Sequence, residues 1–126
     1  MRAVDTNVLL RLLTRDDARQ GASADAFIAK GAWVPVLALA EVVWVLATVY
    51  ERNAGQLAVA IEMLLRHEHL TLQDADAVER ALVLYRSRPR LSFSDCLILE
   101  LARKTGNLPL GTFDKTLAKV AGAQKL

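Results

Sequence analysis

Residues 1–13, MRAVDTNVLLRLL, contain the change of pattern that decides the fold. Arg2 to Val4 form a short strand-like run, and Asp5-Thr6-Asn7 form a polar break suited to capping a helix. Val8-Leu9-Leu10 and Leu12-Leu13 then take up helical apolar spacing. A strand running directly into a helix recurs along the rest of the chain. A second helix is predicted over Asp17 to Ala29 with Gly31 closing it, and Trp33-Val34 reads as a strand before Pro35. The helix from about Val36 to Tyr50 is apolar nearly all round, which predicts burial on more than one side. Ala54 to Arg66 is an amphipathic helix, Leu70-Thr71-Leu72 a strand, and Asp74 to Ser87 a helix with Val78, Leu82 and Tyr85 on one face. The Arg-Ser-Arg-Pro-Arg segment at 86–90 breaks the pattern. Beyond it the sequence predicts a helix over Ser92 to Thr105 ended by Gly106, a strand over Leu108 to Gly111, a short helix over Asp114 to Val120, and an edge strand at the end. Strands separated by helices imply an α/β fold, a mostly parallel sheet covered by helices on both faces. Ligands in such folds bind beyond the carboxyl ends of the strands, so residues that follow strands take priority in a search for a site.

Composition sets outer limits on function. The 126 residues suffice for one compact domain, expected to span 1–126. Leu and Ala supply 22 and 20 of them, a third of the chain, which excludes disorder and favours helix. A single cysteine excludes an internal disulfide and any zinc site built on paired thiolates, and implies a reducing, cytoplasmic setting. The N-terminus lacks the apolar run of a secretory signal, so export is not expected. The stretch from Ala32 to Tyr50 is long enough to span a bilayer, but Glu41 at its centre would cost roughly 3 kcal/mol there, so a buried helix is expected and no membrane association. The formal net charge of +2 permits a nucleic-acid partner without requiring one.

Four carboxylates stand out by position. Asp5 follows the first strand, Asp114 follows the late strand, Asp95 opens a helix, and Glu41 lies inside the most apolar helix. Asp5 and Asp114 can serve simply as N-caps, and Ser92-Phe93-Ser94-Asp95 has the spacing of a capping box. Glu41 is different. Its neighbours three and four residues away, Leu37, Ala38, Trp44 and Val45, offer no basic partner, so burial would demand compensation from outside the helix. A lone Arg or Lys meets that demand, and so does a divalent cation shared with other carboxylates, since Mg²⁺ and Mn²⁺ prefer oxygen ligands. The chemistry that needs such a cluster is phosphodiester hydrolysis, in which metal ions activate water and stabilise the leaving oxygen. Asn7 and Thr112 stand two residues from Asp5 and Asp114, where they can orient water or a carboxylate or act as ordinary turn residues. Arg86, Arg88 and Arg90 precede Asp95 and suit either a solvated loop or contacts to an RNA backbone. His67 and His69 lack a third ligand, and Trp33, Trp44 and Phe93 are expected in the core. Cys96, beside a carboxylate and with no histidine near in sequence, is expected to be a small buried residue rather than a catalytic thiol.

The segments VDTNVLL at 4–10, AEVVWVL at 40–46, FSDCLI at 93–98 and TFDK at 112–115 together resemble, in order and approximate spacing, the motifs of PIN-domain ribonucleases of the VapC toxin type. The match spans essentially the whole chain. It implies a three-layer α/β/α fold with a central, mostly parallel sheet of four or five strands. It also implies a Mg²⁺- or Mn²⁺-dependent endoribonuclease that leaves 5′-phosphate and 3′-hydroxyl ends, and a cognate antitoxin that blocks the site. On this resemblance Asp5, Glu41, Asp95 and Asp114 are the acidic quartet, with Asp5 and Asp95 the direct metal ligands, and Asp114 is the member most variable in the family. Two departures stand out: Leu91-Ser92 occupies a region where many relatives carry a further acid, and Cys96 replaces the commoner Ala. The apolar helix 36–50 also suits a homodimer face, within a heterotetramer or larger assembly with antitoxin. A haloacid-dehalogenase-like phosphatase would likewise place a nucleophilic aspartate at Asp5, but it wants a second Asp where this chain has Asn7. A response-regulator receiver wants an acidic pair near the first strand and a phosphoacceptor Asp after the third, and neither is evident. A non-catalytic PIN scaffold that binds RNA or protein is the non-enzyme alternative.

Overall fold

The computed structural model describes residues 1–126 and divides into two compact units, Met1–Ala75 and Asp76–Leu126. The class is mixed α/β with six α-helices and strands paired only in parallel, as a three-layer α/β/α fold of the expected kind requires. The five strands fall into two sheets, three strands in the first unit and two in the second.

In the first unit β1 (Arg2–Ala3), β2 (Ala32–Val34) and β3 (Leu70–Leu72) pair in that order. Between β1 and β2 run α1 (Thr6–Thr14) and α2 (Ala18–Ile28), and between β2 and β3 run α3 (Val36–Thr48) and α4 (Ala54–Arg66). Each parallel pairing therefore uses a two-helix crossover, since parallel neighbours cannot be joined by a tight turn. Local chemistry sets the helix boundaries. Asp5 caps α1 by accepting from the Val8 N–H at 3.1 Å, and Asp17 caps α2 by accepting from the Gln20 N–H at 2.9 Å. At α4, Asn53 and Gln56 make a reciprocal capping box, with both bonds at 2.9 Å. Pro35 precedes α3 and has no capping side chain. The Val36 N–H donates instead to the Gln73 side chain, just past β3, at 2.8 Å. Gly31, at φ +91°, makes the left-handed turn between α2 and β2.

The core of this unit holds Leu9 and Leu10 of α1, Ile28 of α2, Leu39 and Val42 of α3, and Ile61 and Leu64 of α4, all buried. The burial expected for α3 is only half met. Ala38, Leu39, Val42, Val43 and Leu46 are buried, whereas Leu37, Glu41, Trp44 and Thr48 form an exposed stripe. Trp44 is 64% exposed and Trp33 36% exposed, so neither belongs to the core as expected, while Phe93 does. A uniformly apolar helix carries no record of which of its sides meets a neighbour, so composition overestimated its burial. No helix is long and apolar enough to cross a membrane.

A polar cluster joins the ends of α1, α2 and α3. Asp16 accepts from Thr14 at 2.7 Å, from Arg11 at 2.7 Å and from the Tyr50 hydroxyl at 2.9 Å. The Thr14 and Tyr50 hydroxyls, followed by the Arg11 charge, hold the Asp16 carboxyl below its ordinary value. A carboxyl with a lowered folded pKa contributes stability above its unfolded value of about 4 and loses it as pH falls through the folded value. Asp16→Asn is therefore expected to flatten the acid limb of a urea-stability profile below about pH 4. An unchanged slope would show that this cluster does not couple to folding.

The second unit contains most of α5 (Ala75–Ser87), then α6 (Phe93–Lys104), β4 (Leu110–Thr112), a 3₁₀ turn (Leu117–Lys119) and β5 (Ala123–Lys125), with β4 and β5 parallel. Val78, Leu82 and Tyr85 are buried on one face of α5, as the spacing predicts, and Tyr85 meets Phe93 edge to face at 5.9 Å. The late strand begins two residues later than expected, after Pro109, whose missing N–H cannot serve a ladder. The helix expected over Asp114 to Val120 shrinks to the 3₁₀ turn. Gly122, at φ +94°, lets the chain pass the Arg103 guanidinium, which would lie 3.0 Å from any Cβ there.

Candidate active site

In the first unit Asp5 sits at the carboxyl end of β1, where the fold class places ligands. Its Oδ1 is spent on the cap of α1, and no protein donor meets its Oδ2. It opens onto a cavity of about 410 Å³ between α1 and α2, shared with Asn7, Arg11, Gln20, Ser23 and Phe27. Glu41 lies on the exposed stripe of α3 and does not line that cavity. The burial argument for Glu41 is thereby overturned: its carboxylate is solvated, so no desolvation cost calls for a compensating charge. A second cavity of about 410 Å³, lined by Leu13, Leu46, Val59 and Met63 among others, holds none of the four motif acids.

In the second unit Asp95 is half-buried in the first turn of α6, and its carboxylate makes no hydrogen bond or ion pair. The expected capping box is only half formed. Ser92 accepts from the Asp95 N–H at 3.1 Å, but the Asp95 carboxylate does not return the bond, which leaves both of its oxygens free of protein donors. Asp114 is exposed, and its Oδ1 accepts from the N–H groups of Thr116 at 2.7 Å and Leu117 at 2.9 Å. Thr112 fixes that turn by accepting from the Asp114 N–H at 3.0 Å. Arg88 and Arg90 are exposed in the turn that leads into α6, and Arg86 is exposed at the end of α5.

None of the four motif acids is paired with a basic side chain. Asp16, Asp25, Asp76 and Glu100 do form ion pairs with Arg or Lys. Each of the four motif carboxylates has at least one oxygen free of protein donors, the donor type that hard divalent cations take. Neither unit by itself assembles three or more His, Cys, Asp or Glu side chains into a cation cage. His67 Nδ1 accepts from the His69 backbone N–H at 3.1 Å, and His69 Nε2 lies 3.3 Å from the Glu68 carboxylate.

Cys96 is fully buried on α6, and burial, then the neighbouring Asp95 charge, pushes its thiol up to about 11. It is thus a packing residue. A disulfide-exchange reagent at pH 8 is expected to label it only after denaturation, and labelling of the folded chain within minutes would contradict that burial.

Sequence reasoning missed two features. Gln20, Ser23, Ala24 and Phe27 repeat at helical spacing on α2 and form one wall of the Asp5 cavity, a polar and aromatic face whose partner, α1, was not identifiable from periodicity alone. Glu100, inside the apolar run Leu97-Ile-Leu-Glu-Leu101, is the one buried charged residue. It pairs with Arg103 at 3.3 Å, and Arg103 also donates to the Ala121 carbonyl at 2.7 Å.

No curated protein and no solved structure matches this chain. The family model described as PIN domain matches residues 2–123. Proteins of that family are generally nucleases and typically use divalent metal ions. The match takes in all four acidic segments and nearly the full length of the chain, which belongs to the PIN-domain family.

Proposed function

We propose that residues 1–126 act as one nuclease domain, a Mg²⁺- or Mn²⁺-dependent endoribonuclease that serves in the cytoplasm as the toxin of a toxin–antitoxin pair. Asp5, Glu41, Asp95 and Asp114 are its catalytic carboxylates, with Asp5 and Asp95 the direct ligands. The observation that carries this reading is the PIN-domain match over residues 2–123, which takes in all four motif acids, none of them committed to a basic partner. A bound cation supplies an activated water and neutralises charge on the phosphate. The chain's own contribution is positional. The cap at Asp5 and the turn at Asp114 each immobilise one carboxylate oxygen, leaving the other oriented, and Thr112 holds the Asp114 backbone. Asn7 supports Asp5 from the first turn of α1. Arg86, Arg88 and Arg90 supply exposed positive charge near Asp95 in sequence, suited to guiding an RNA backbone. The partners are RNA, a cognate antitoxin and a second copy of the chain, within a homodimer, heterotetramer or larger assembly. The exposed Leu37 and Trp44 on α3 favour a protein-covered face.

Cleavage of total RNA by the purified protein is expected to require Mg²⁺ or Mn²⁺, to stop with EDTA, and to resume when excess Mn²⁺ is returned. End mapping should find 5′-phosphates and 3′-hydroxyls. Cleavage that survives EDTA, or that yields cyclic phosphate ends, would exclude metal-activated water. A folded protein that binds RNA and cuts none of it in Mn²⁺ would be the scaffold rather than the nuclease. Membership of the PIN-domain family weighs against the phosphatase alternative with Asp5 as nucleophile.

A further inference from the structure

The cavity beside Asp5 is built to recognise more than a phosphate. Val8 and Ala24 supply apolar surface, and Phe27 supplies an aromatic wall. The Phe27 ring is held from one side by Arg2, whose guanidinium lies 3.9 Å from the ring centroid and donates to the Phe27 carbonyl at 2.9 Å. Its volume, about 410 Å³, falls within the range of small-ligand sites.

Two of the polar groups beside this apolar surface, Arg11 and Gln20, are held in place by hydrogen bonds. Arg11 Nε donates to Gln20 Oε1 at 2.6 Å, and Arg11 Nη1 is anchored on Asp16 at 2.7 Å. A guanidinium has no acceptor, so the atom of Gln20 that faces Arg11 must be its oxygen, and the amide NH₂ is left with both donors unspent. The Ser23 hydroxyl and the Asn7 carboxamide also make no hydrogen bond within the protein. The cavity therefore offers apolar and aromatic surface, the Gln20 amide donors oriented by Arg11, and the unspent Ser23 and Asn7 groups, next to the Asp5 carboxylate.

From this geometry we infer that the cavity between α1 and α2 holds one nucleobase of single-stranded RNA, and that Gln20 selects guanine or uracil over adenine or cytosine. The inference rests on the ribonuclease reading and names the base specificity of that same site. Single-stranded RNA is recognised by stacking its bases on aromatic side chains and bonding their edges. Guanine and uracil present carbonyl oxygens where adenine and cytosine present exocyclic amines. Against the unspent Gln20 donors a carbonyl gains a bond, whereas an amine sets donor against donor and leaves both unpaired.

The test titrates the isotope-labelled full chain with GMP, UMP, AMP and CMP in EDTA, so that binding is read without cleavage. GMP and UMP are expected to bind about tenfold more tightly than AMP and CMP, with the largest NMR shifts at the Gln20 side-chain amide, Ser23 and Phe27. Gln20→Glu keeps an oxygen toward Arg11 and replaces the donors with an acceptor. It sits in the first turn of α2, where a carboxylate is well tolerated. This variant should reverse the ratio in favour of AMP and CMP, and in Mn²⁺ it should move mapped cuts from G or U toward A or C. Equal affinity for all four nucleotides, shifts located elsewhere, or a ratio unchanged in Gln20→Glu would overturn the inference. Selective binding without any cleavage would leave the base site standing and remove the nuclease reading. Cleavage with a base preference unaltered in Gln20→Glu would do the reverse.

Discussion

Asp95→Asn and Glu41→Gln are each expected to lower RNA cleavage more than about a hundredfold in kcat/KM while leaving the folded state intact, because neither carboxylate has a partner inside the protein to lose. Asp95→Asn should change stability by no more than about 1 kcal/mol, the scale of a carboxylate's interaction with a helix N-terminus. Glu41, exposed on α3, should change it by less than about 0.5 kcal/mol. Asp5 separates the two roles differently. Asn caps a helix as well as Asp does, so Asp5→Asn is expected to lose activity and keep stability, whereas Asp5→Ala should also lose the 3.1 Å bond to the Val8 N–H and about 1 kcal/mol. Thermal melts run beside single-turnover cleavage would check all four variants. A large drop in melting temperature for Asp95→Asn or Glu41→Gln would make these residues structural, and full activity in both would remove them from the quartet.

Leu9→Ala is expected to destabilise the first unit by about 3 to 4 kcal/mol, through lost burial and the cavity left behind. For a chain of this size that is a fall of about 11 to 15 °C in melting temperature. Leu9 is completely buried one turn into the helix that Asp5 caps, so its removal loosens the element that carries the first carboxylate. Leu37→Ala gives the contrast. Leu37 is 75% exposed on α3, and its truncation should stay within about 0.5 kcal/mol in the isolated chain. Equal effects at the two positions, measured by urea unfolding, would contradict the burial of Leu9 on α1 and the exposure of Leu37 on α3.

Legibility in the sequence followed the range of the forces involved. The strand at Leu70–Leu72 and the helix at Ala54–Arg66 stand where the sequence predicts them to the residue, because Asn53, Gln56 and the apolar spacing are local signals that need no partner. The late strand starts two residues later than expected because the expected range included Pro109, which lacks the donor a ladder needs. Ser92 and Asp95 have the spacing of a capping box, yet only one of its two bonds forms, since spacing permits a side chain to turn back without obliging it to. Trp44 and Trp33 were assigned to the core by residue type alone, and large apolar residues also remain on surfaces.

By itself the sequence determined the succession of strands and helices, the parallel character of the pairing, the caps at Asp5 and Ser92, and where the four motif acids stand along the chain. Each of these depends on residues within a few positions of one another, or on a connection too long for a hairpin. Only the tertiary structure decided that Glu41 and Trp44 face solvent and that Asp95 keeps both oxygens free of protein donors. It also decided that Gln20 is oriented by Arg11 across a cavity beside Asp5. These are relations between side chains on different elements, or choices among conformations of equal local cost. Burial and hydrogen-bond satisfaction are settled only when a neighbouring element takes its place and excludes water or fails to.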